Sequence, residues 1–265
     1  MIALRDADCD PYIFKELISA GASLKRLTLD ASNTAITAIN TVATRRNNVS
    51  SLAYIAPRVD SVNGKDKCGK TIQYATIGGS EAITEIISKC PGFEVNAKAS
   101  NGHSALYFAA VFGSAEVLPM LIRYGAKVES GDSDGMTLLQ LAIFYREKKA
   151  ADILLGMGAE IVFPVGTPLS QGTALHATVS GASSSETVLR YLLTKHPKFR
   201  ATAVINGPDM NGWTTLHKAA YYGDHDGIEA LLEYGADRTL RDASKGRKPG
   251  RTPLGRVSEP LKIEH

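Results

Sequence analysis

The run Gly64-Lys65-Asp66-Lys67-Cys68-Gly69-Lys70-Thr71 satisfies the pattern G-x-x-x-x-G-K-[ST] in full. In a phosphate-binding loop these residues wrap backbone amides around a nucleotide's phosphates. The Lys reaches the terminal phosphates and the hydroxyl holds Mg²⁺. Such a loop needs a buried strand before it, but Arg58-Val59-Asp60-Ser61-Val62-Asn63 stands there, and no apolar strand ending in Asp follows. A second run, Gly131-Asp132-Ser133-Asp134-Gly135, fits the G-x-S-x-G of a hydrolase nucleophile elbow. That elbow belongs at the top of a parallel sheet, with a distant acid and His to complete the triad. Read as a calcium loop the same segment fails, because the position that requires a bidentate Glu is Leu141. His176 and His217 remain, but no Cys, His and Asp set around them has metal-ligand spacing.

The bulk composition sets the frame for these candidates. The 265 residues are 44% hydrophobic and 22% charged, values of an ordinary folded protein. A net charge of +3 is too mild to argue for nucleic acid or a membrane as partner. Cys9, Cys68 and Cys90 are odd in number, far apart and free of any CxxC pair. They read as free thiols in a reducing compartment. The opening MIALRDADCDPY has no apolar core of signal-peptide length. The most apolar stretch, 104–125, is interrupted by Gly113, Glu116, Pro119 and Arg123, so no membrane span is expected. A cytoplasmic or nuclear location follows as the expectation.

The elements that would position any site come from an internal repeat. NGHSALYFAAVFGSAEVLPMLIRYGA (101–126), DGMTLLQLAIFYREKKAADILLGMGA (134–159) and NGWTTLHKAAYYGDHDGIEALLEYGA (211–236) align without a gap. The first and third agree at ten of 26 positions, and Gly69, Gly102 and Gly135 are spaced by 33 residues. Each copy predicts two short helices. In the first copy Leu106, Ala109 and Ala110 form one apolar stripe, and Val117, Leu118, Leu121 and Ile122 form another. Gly113-Ser114 divides them, with Ser114 the expected N-cap of the second helix. Gly125 stands where a left-handed glycine should close that helix. A polar turn follows. Neither helix can bury its stripe alone, so copies must stack into one core.

This unit resembles the ankyrin repeat, whose period is 33 and whose signature is Thr-Pro-Leu-His-x-Ala. The signature stands as Thr173-Ala174-Leu175-His176, Thr214-Thr215-Leu216-His217 and Thr252-Pro253-Leu254. It survives in altered form as Ser104-Ala105-Leu106-Tyr107 and Thr137-Leu138-Leu139-Gln140. The closing Gly-Ala recurs at Gly21-Ala22, Gly125-Ala126, Gly158-Ala159 and Gly235-Ala236. The resemblance implies an all-α solenoid of stacked helix-turn-helix units with short hairpin fingers. The expected organisation is one repeat domain over 1–265 of about six to seven repeats. They comprise a partial 1–30, then 31–63, 66–97, 99–131, 132–164, 170–205 and 209–241, and a partial 242–265. Repeat two closes on Ala56-Pro57, and repeat three is one residue short after Thr71. Repeat six carries Gly181-Ala182-Ser183-Ser184-Ser185 between its helices and a long connection, 194–211, after them. Pro119, inside a second helix, should cost a hydrogen bond and bend it.

The resemblance also absorbs the catalytic patterns. Asp66, Gly69 and Thr71, like Asp132 and Gly135, fall on the Asp-x-x-Gly-x-Thr of the hairpin. His176 and His217 then tie a hairpin to its neighbour through backbone hydrogen bonds. The implied function is non-enzymatic: a scaffold that binds a partner protein, with no cofactor, metal or small-molecule substrate. Nucleotide binding through Gly64–Thr71 is the disfavoured rival, and a regulatory repeat region of a larger protein is the other. The family's variable surface positions fall on His103, Val111 and Phe112 in repeat four. In repeat five they are Met136, Phe144 and Tyr145, and in repeat seven Trp213, Tyr221 and Tyr222. Six of these nine are aromatic in a chain that is 7% aromatic, which points to an aromatic-rich concave face. Gly172, Ser180 and Gly181 interrupt it in repeat six. The basic run Lys245-Gly246-Arg247-Lys248-Pro249-Gly250-Arg251 reads as a solvated hairpin, with an import signal or acidic-partner contact as the rival.

Overall fold

A computed structural model describes residues 49–56, 81–90, 92–128, 135–162, 172–179, 186–243 and 250–256. Outside them lie the partial repeat 1–30, most of repeat two, Gly64–Thr71, Gly131–Asp134, Gly181–Ser185 and Lys245–Pro249. The chain forms two compact units, residues 1–132 and 133–265.

The first unit contains α1 (Val49–Ile55), α2 (Glu81–Ser88), α3 (Ala105–Val111) and α4 (Val117–Arg123). The α3–α4 pair shows how the sequence builds one repeat. Ser104 caps α3, its hydroxyl accepting from the Tyr107 amide at 3.3 Å. Leu106, Ala109 and Ala110 from α3 and Val117, Leu118 and Leu121 from α4 are all at most 1% exposed, whereas Ile122 is only half-buried. Each large side chain so buried contributes about 1.5–3 kcal/mol. After α4 the Ala126 amide donates to Leu121 O (3.0 Å) and the Gly125 amide to Ile122 O (2.9 Å). These two bonds satisfy carbonyls that a helix end leaves open, and they require Gly125 at φ 91°. The same pair of bonds closes the second helices at Gly158-Ala159 and Gly235-Ala236.

Two local expectations are corrected. The N-cap of α4 is Glu116, without a side-chain bond, and Ser114 contributes its backbone carbonyl to the amides of Val117 and Leu118. Pro119 is the third residue of α4. First-turn amides have no obligatory intrahelical acceptor, so Pro119 delays the start of the helix and does not break its middle.

The second unit contains α5 (Leu138–Phe144), α6 (Lys148–Gly156), α7 (Glu186–Lys195), α8 (Thr202–Ile205), α9 (Thr215–Tyr222) and α10 (His225–Glu233). Helices α5 and α6 pack as one pair, α9 and α10 as another, and α10 also lies against α7. Repeat six departs from two α-helices, for its first element is a 3-10 helix, Ala174–Thr178. There the Thr178 hydroxyl donates back to Leu175 O at 2.7 Å, competing with a continued backbone ladder. The long connection after α7 is also structured. A 3-10 helix, Pro197–Arg200, and α8 fill it, anchored by Phe199 at 0% exposure.

Candidate functional site

In the second unit the signature residues form a relay from each repeat to the next. Thr137 and Gln140 make a capping box: the Gln140 amide donates to Thr137 Oγ1 (3.2 Å), and the Thr137 amide to Gln140 Oε1 (2.9 Å). The remaining end of Gln140, Nε2, donates to Gly172 O at 3.4 Å. His176 repeats the arrangement. Its Nδ1 accepts from the Thr173 amide (3.1 Å), so Nε2 carries the proton and donates to Trp213 O (2.8 Å). His217 does the same, with Nδ1 on the Thr214 amide (3.2 Å) and Nε2 on Arg251 O (3.0 Å). In all three cases the acceptor is the carbonyl just before the next signature Thr. Both imidazoles are buried, at 2% and 0% exposure. Burial holds His176 neutral, its pKa pushed down to about 4 despite the hydrogen bond to Trp213. These side chains are structural ties, occupied at both nitrogens.

The relay fixes the hairpin that presents Trp213. The Asp209 carboxylate accepts from the amides of Asn211 (2.8 Å) and Trp213 (3.0 Å), and the Asp209 amide donates to Trp213 O (2.7 Å). Asp242 holds Arg251 in the same way, accepting its amide at 2.8 Å. Trp213 is therefore a large ring on a backbone bonded at both polar groups, which keeps the ordering cost of a contact low.

The nine surface candidates separate by burial. In repeat four Phe112 is 56% exposed, whereas Val111 is buried at 9% and offers a partner little surface. Half-buried His103 stacks on Tyr107, with ring centroids 3.7 Å apart. In the second unit Phe144 (41%) and Tyr145 (47%) are exposed and meet edge to face at 5.3 Å, and Met136 is half-buried. Repeat seven brings its three candidates together. Trp213 and Tyr221 are half-buried with ring centroids 5.2 Å apart, and Tyr222, 43% exposed, meets Tyr221 edge to face at 5.2 Å. These aromatics end the first helix of their repeats because a left-handed residue follows each: Gly113 (φ 65°), Arg146 (φ 65°) and Gly223 (φ 69°).

No group of three or more His, Cys, Asp or Glu among the described residues is arranged to hold a metal. No helix there is long and apolar enough to cross a membrane.

The family model for ankyrin repeats, three copies, matches residues 72–164 and 165–242. The chain belongs to the ankyrin-repeat family. It is similar to human SH3 and multiple ankyrin repeat domains protein 2, 32% identical over 183 residues that make up 67% of this chain and 9% of that protein. It is also similar to transcription factor MBP1 of Kluyveromyces lactis, at 27% identity over 59% of this chain and 21% of that protein. The chain thus spans less than a quarter of the length of these relatives. Two solved structures share the fold. The human ASB11 ankyrin repeat domain matches with a TM-score of 0.64 and 21% identity, over 85% of this chain and 93% of that one. The ankyrin repeat domain of Bcl-3 matches at 0.67 and 18%, over 83% and 93%.

Three features of this ankyrin-repeat chain gave no sign at the level of motifs. Asp152 on α6 gathers Tyr191, Lys195 and His196. Its Oδ2 accepts from Tyr191 Oη (2.6 Å) and from Lys195, and Oδ1 faces His196 Nε2 at 2.8 Å. Partial burial opposes ionisation of Asp152, but the hydrogen bonds from Lys195, Tyr191 and His196 outweigh it and lower its pKa. A groove of about 460 Å³ opens beside α9 and α10, floored by Leu216 and Ala220 and bordered by Leu232, Leu254, Arg238 and Arg241. Leu254 is 78% exposed there. The third feature is Lys218 on α9, which is half-buried. A register alignment could have found it, since a lysine stands where Phe108, Leu141 and Ala177 stand in other repeats.

Proposed function

We propose that the chain is a non-enzymatic protein-interaction module that grips a partner protein through hairpin tips and the aromatic positions at the ends of its first helices. The observation that carries this reading is the Trp213–Tyr221–Tyr222 cluster, whose presenting hairpin is held by His176 and Asp209. Large rings on a fixed backbone bury much area at little entropic cost, which is how binding hot spots work. Phe144 with Tyr145, and Phe112 in the first unit, extend the same chemistry. Family membership supports a binding role over catalysis, because the repeat's sequence register accounts for the catalytic-looking motifs.

The test is affinity capture from native lysate with the wild-type chain and with Trp213→Ala/Tyr221→Ala. Loss of specific partners with an unchanged circular dichroism spectrum is the expected result. An identical partner set would sink the assignment of this face. A regulatory or accessory role beside other domains is favoured by the small share of its relatives that the chain spans. Titration with Mg²⁺ and ATP or GTP is expected to show no binding. Binding that Lys70→Ala abolishes would replace this reading with a nucleotide-handling one.

A further inference from the structure

Four residues after each signature Thr or Ser, the ankyrin register places a side chain that faces the core. In three repeats it is apolar and buried: Phe108 at 7% exposure, Leu141 at 3% and Ala177 at 9%. In repeat seven it is Lys218, which is half-buried. No hydrogen bond or ion pair joins its ammonium to a described residue, and the Asp209 charge favours its protonated form. Asp209 is itself engaged by the amides of Asn211 and Trp213. Burial pushes the Lys218 ammonium below the ordinary lysine range, and Asp209 only partly offsets this. The lysine also lies close enough to buried His176 to disfavour its protonation. On α9 it precedes Tyr221 by three residues and Tyr222 by four, the spacings at which helical side chains are neighbours. A lysine thus stands one helical turn from Tyr221 and Tyr222, at a position that holds a buried apolar residue in three other repeats.

We infer that the face of repeat seven selects a partner segment carrying a carboxylate, Asp or Glu, flanked by apolar side chains, and that Lys218 is its recognition group. This rests on the reading of the Trp213–Tyr221 face as the binding surface. The reason is desolvation. Any protein that covers the two rings also strips water from half-buried Lys218, one helical turn before Tyr221 and Tyr222. A covered cation without an anion is strongly disfavoured, whereas one that meets a carboxylate gains a charge-assisted bond in a water-poor setting. A neutral partner therefore binds less well, because Asp209 offsets the covered charge only in part. The aromatic rings supply contact area, and Lys218 supplies the choice.

The experiment selects a random 12-residue peptide display library against the whole chain and measures the winners, carrying a fluorescent label, by fluorescence anisotropy, a readout that also serves the Trp213→Ala variant. The expected winners carry Asp or Glu between apolar residues. Changing that acid to Asn or Gln in the peptide, or Lys218→Met in the protein, should weaken binding about ten- to hundredfold, the scale of one hydrogen bond to a charged group. Lys218→Arg should restore most of the affinity, and raised salt should weaken the wild type more than Lys218→Met. If Lys218→Met fails to fold, the peptide-side exchange and Lys218→Arg still decide. Winners that bind unchanged to Trp213→Ala, or a library without winners, refute the aromatic face and the inference with it. Winners lost on Trp213→Ala that lack an acid, or that tolerate its amide, refute the carboxylate alone.

Discussion

Replacing His176 tests whether the repeats of the second unit are held by the relay or by apolar packing alone. His176→Ala removes the acceptor of the Thr173 amide and one of the two donors to Trp213 O. Thr173 is 2% exposed, so its N–H is left buried and unsatisfied, at a cost of about 1–3 kcal/mol. The Trp213 carbonyl keeps the Asp209 amide and adds roughly another 1 kcal/mol. The sum is about 2–4 kcal/mol, or roughly 5–15 °C in the melting temperature of a domain this size. His176→Gln should recover most of it, because Gln140 already performs both bonds in repeat five. Urea unfolding at pH 7.5, 5.5 and 4.5 adds an independent check. The folded-state pKa of His176 is pushed from 6.5 down to about 4, so the unfolded chain binds the extra proton between those values. Stability from this group is complete above pH 6.5 and is lost as pH falls towards 4, on the order of 3 kcal/mol in all. His176→Gln should lack that loss. Equal destabilisation by Ala and Gln, or identical pH slopes for wild type and His176→Gln, would refute the relay.

Gly223→Ala should destabilise by about 1 kcal/mol through backbone strain alone, since its φ is 69° and an added Cβ would meet no atom within 4 Å. Thermal unfolding beside Gly156→Ala, a helical glycine with equal space, isolates that term. Leu231→Ala opens a cavity at a side chain of 0% exposure and should cost about 2–5 kcal/mol by chemical denaturation. Asp152→Asn weakens the cluster of Lys195, Tyr191 and His196, yet Lys195 is 51% exposed, so a loss under about 1 kcal/mol that fades in high salt is expected. Phe112→Ala, at a ring 56% exposed, should leave the melting temperature within about 2 °C of wild type.

Much of the fold was legible because the repeat states each instruction several times. The Thr or Ser before the first helix, the apolar stripes and the closing Gly-Ala act within one or two turns of backbone, where residue identity nearly fixes the bond made. Hence Ser104, Thr137 and Thr214 cap helices and Gly125 turns left-handed. The failures are residues whose role depends on a neighbour. The stripe pattern puts Pro119 within the helix without marking its first turn, and Ser114 supplies a carbonyl where its residue type predicts a side-chain cap. The Asp152 cluster joins residues about forty positions apart, a spacing that no motif marks.

The sequence by itself determined the period, the helix pairs and the identity of the residues that tie repeats together. Only the tertiary structure decided what those residues reach. The relay spans 32, 37 and 34 residues at its three steps, because the connections between repeats differ while the stacked geometry does not. Packing against the neighbouring elements also turned Val111 inward beside exposed Phe112, brought Trp213 onto Tyr221, and left Lys218 half-buried at a position that is apolar in three other repeats. Local sequence codes for bonds that close within a turn, whereas burial is a property of everything packed around a residue.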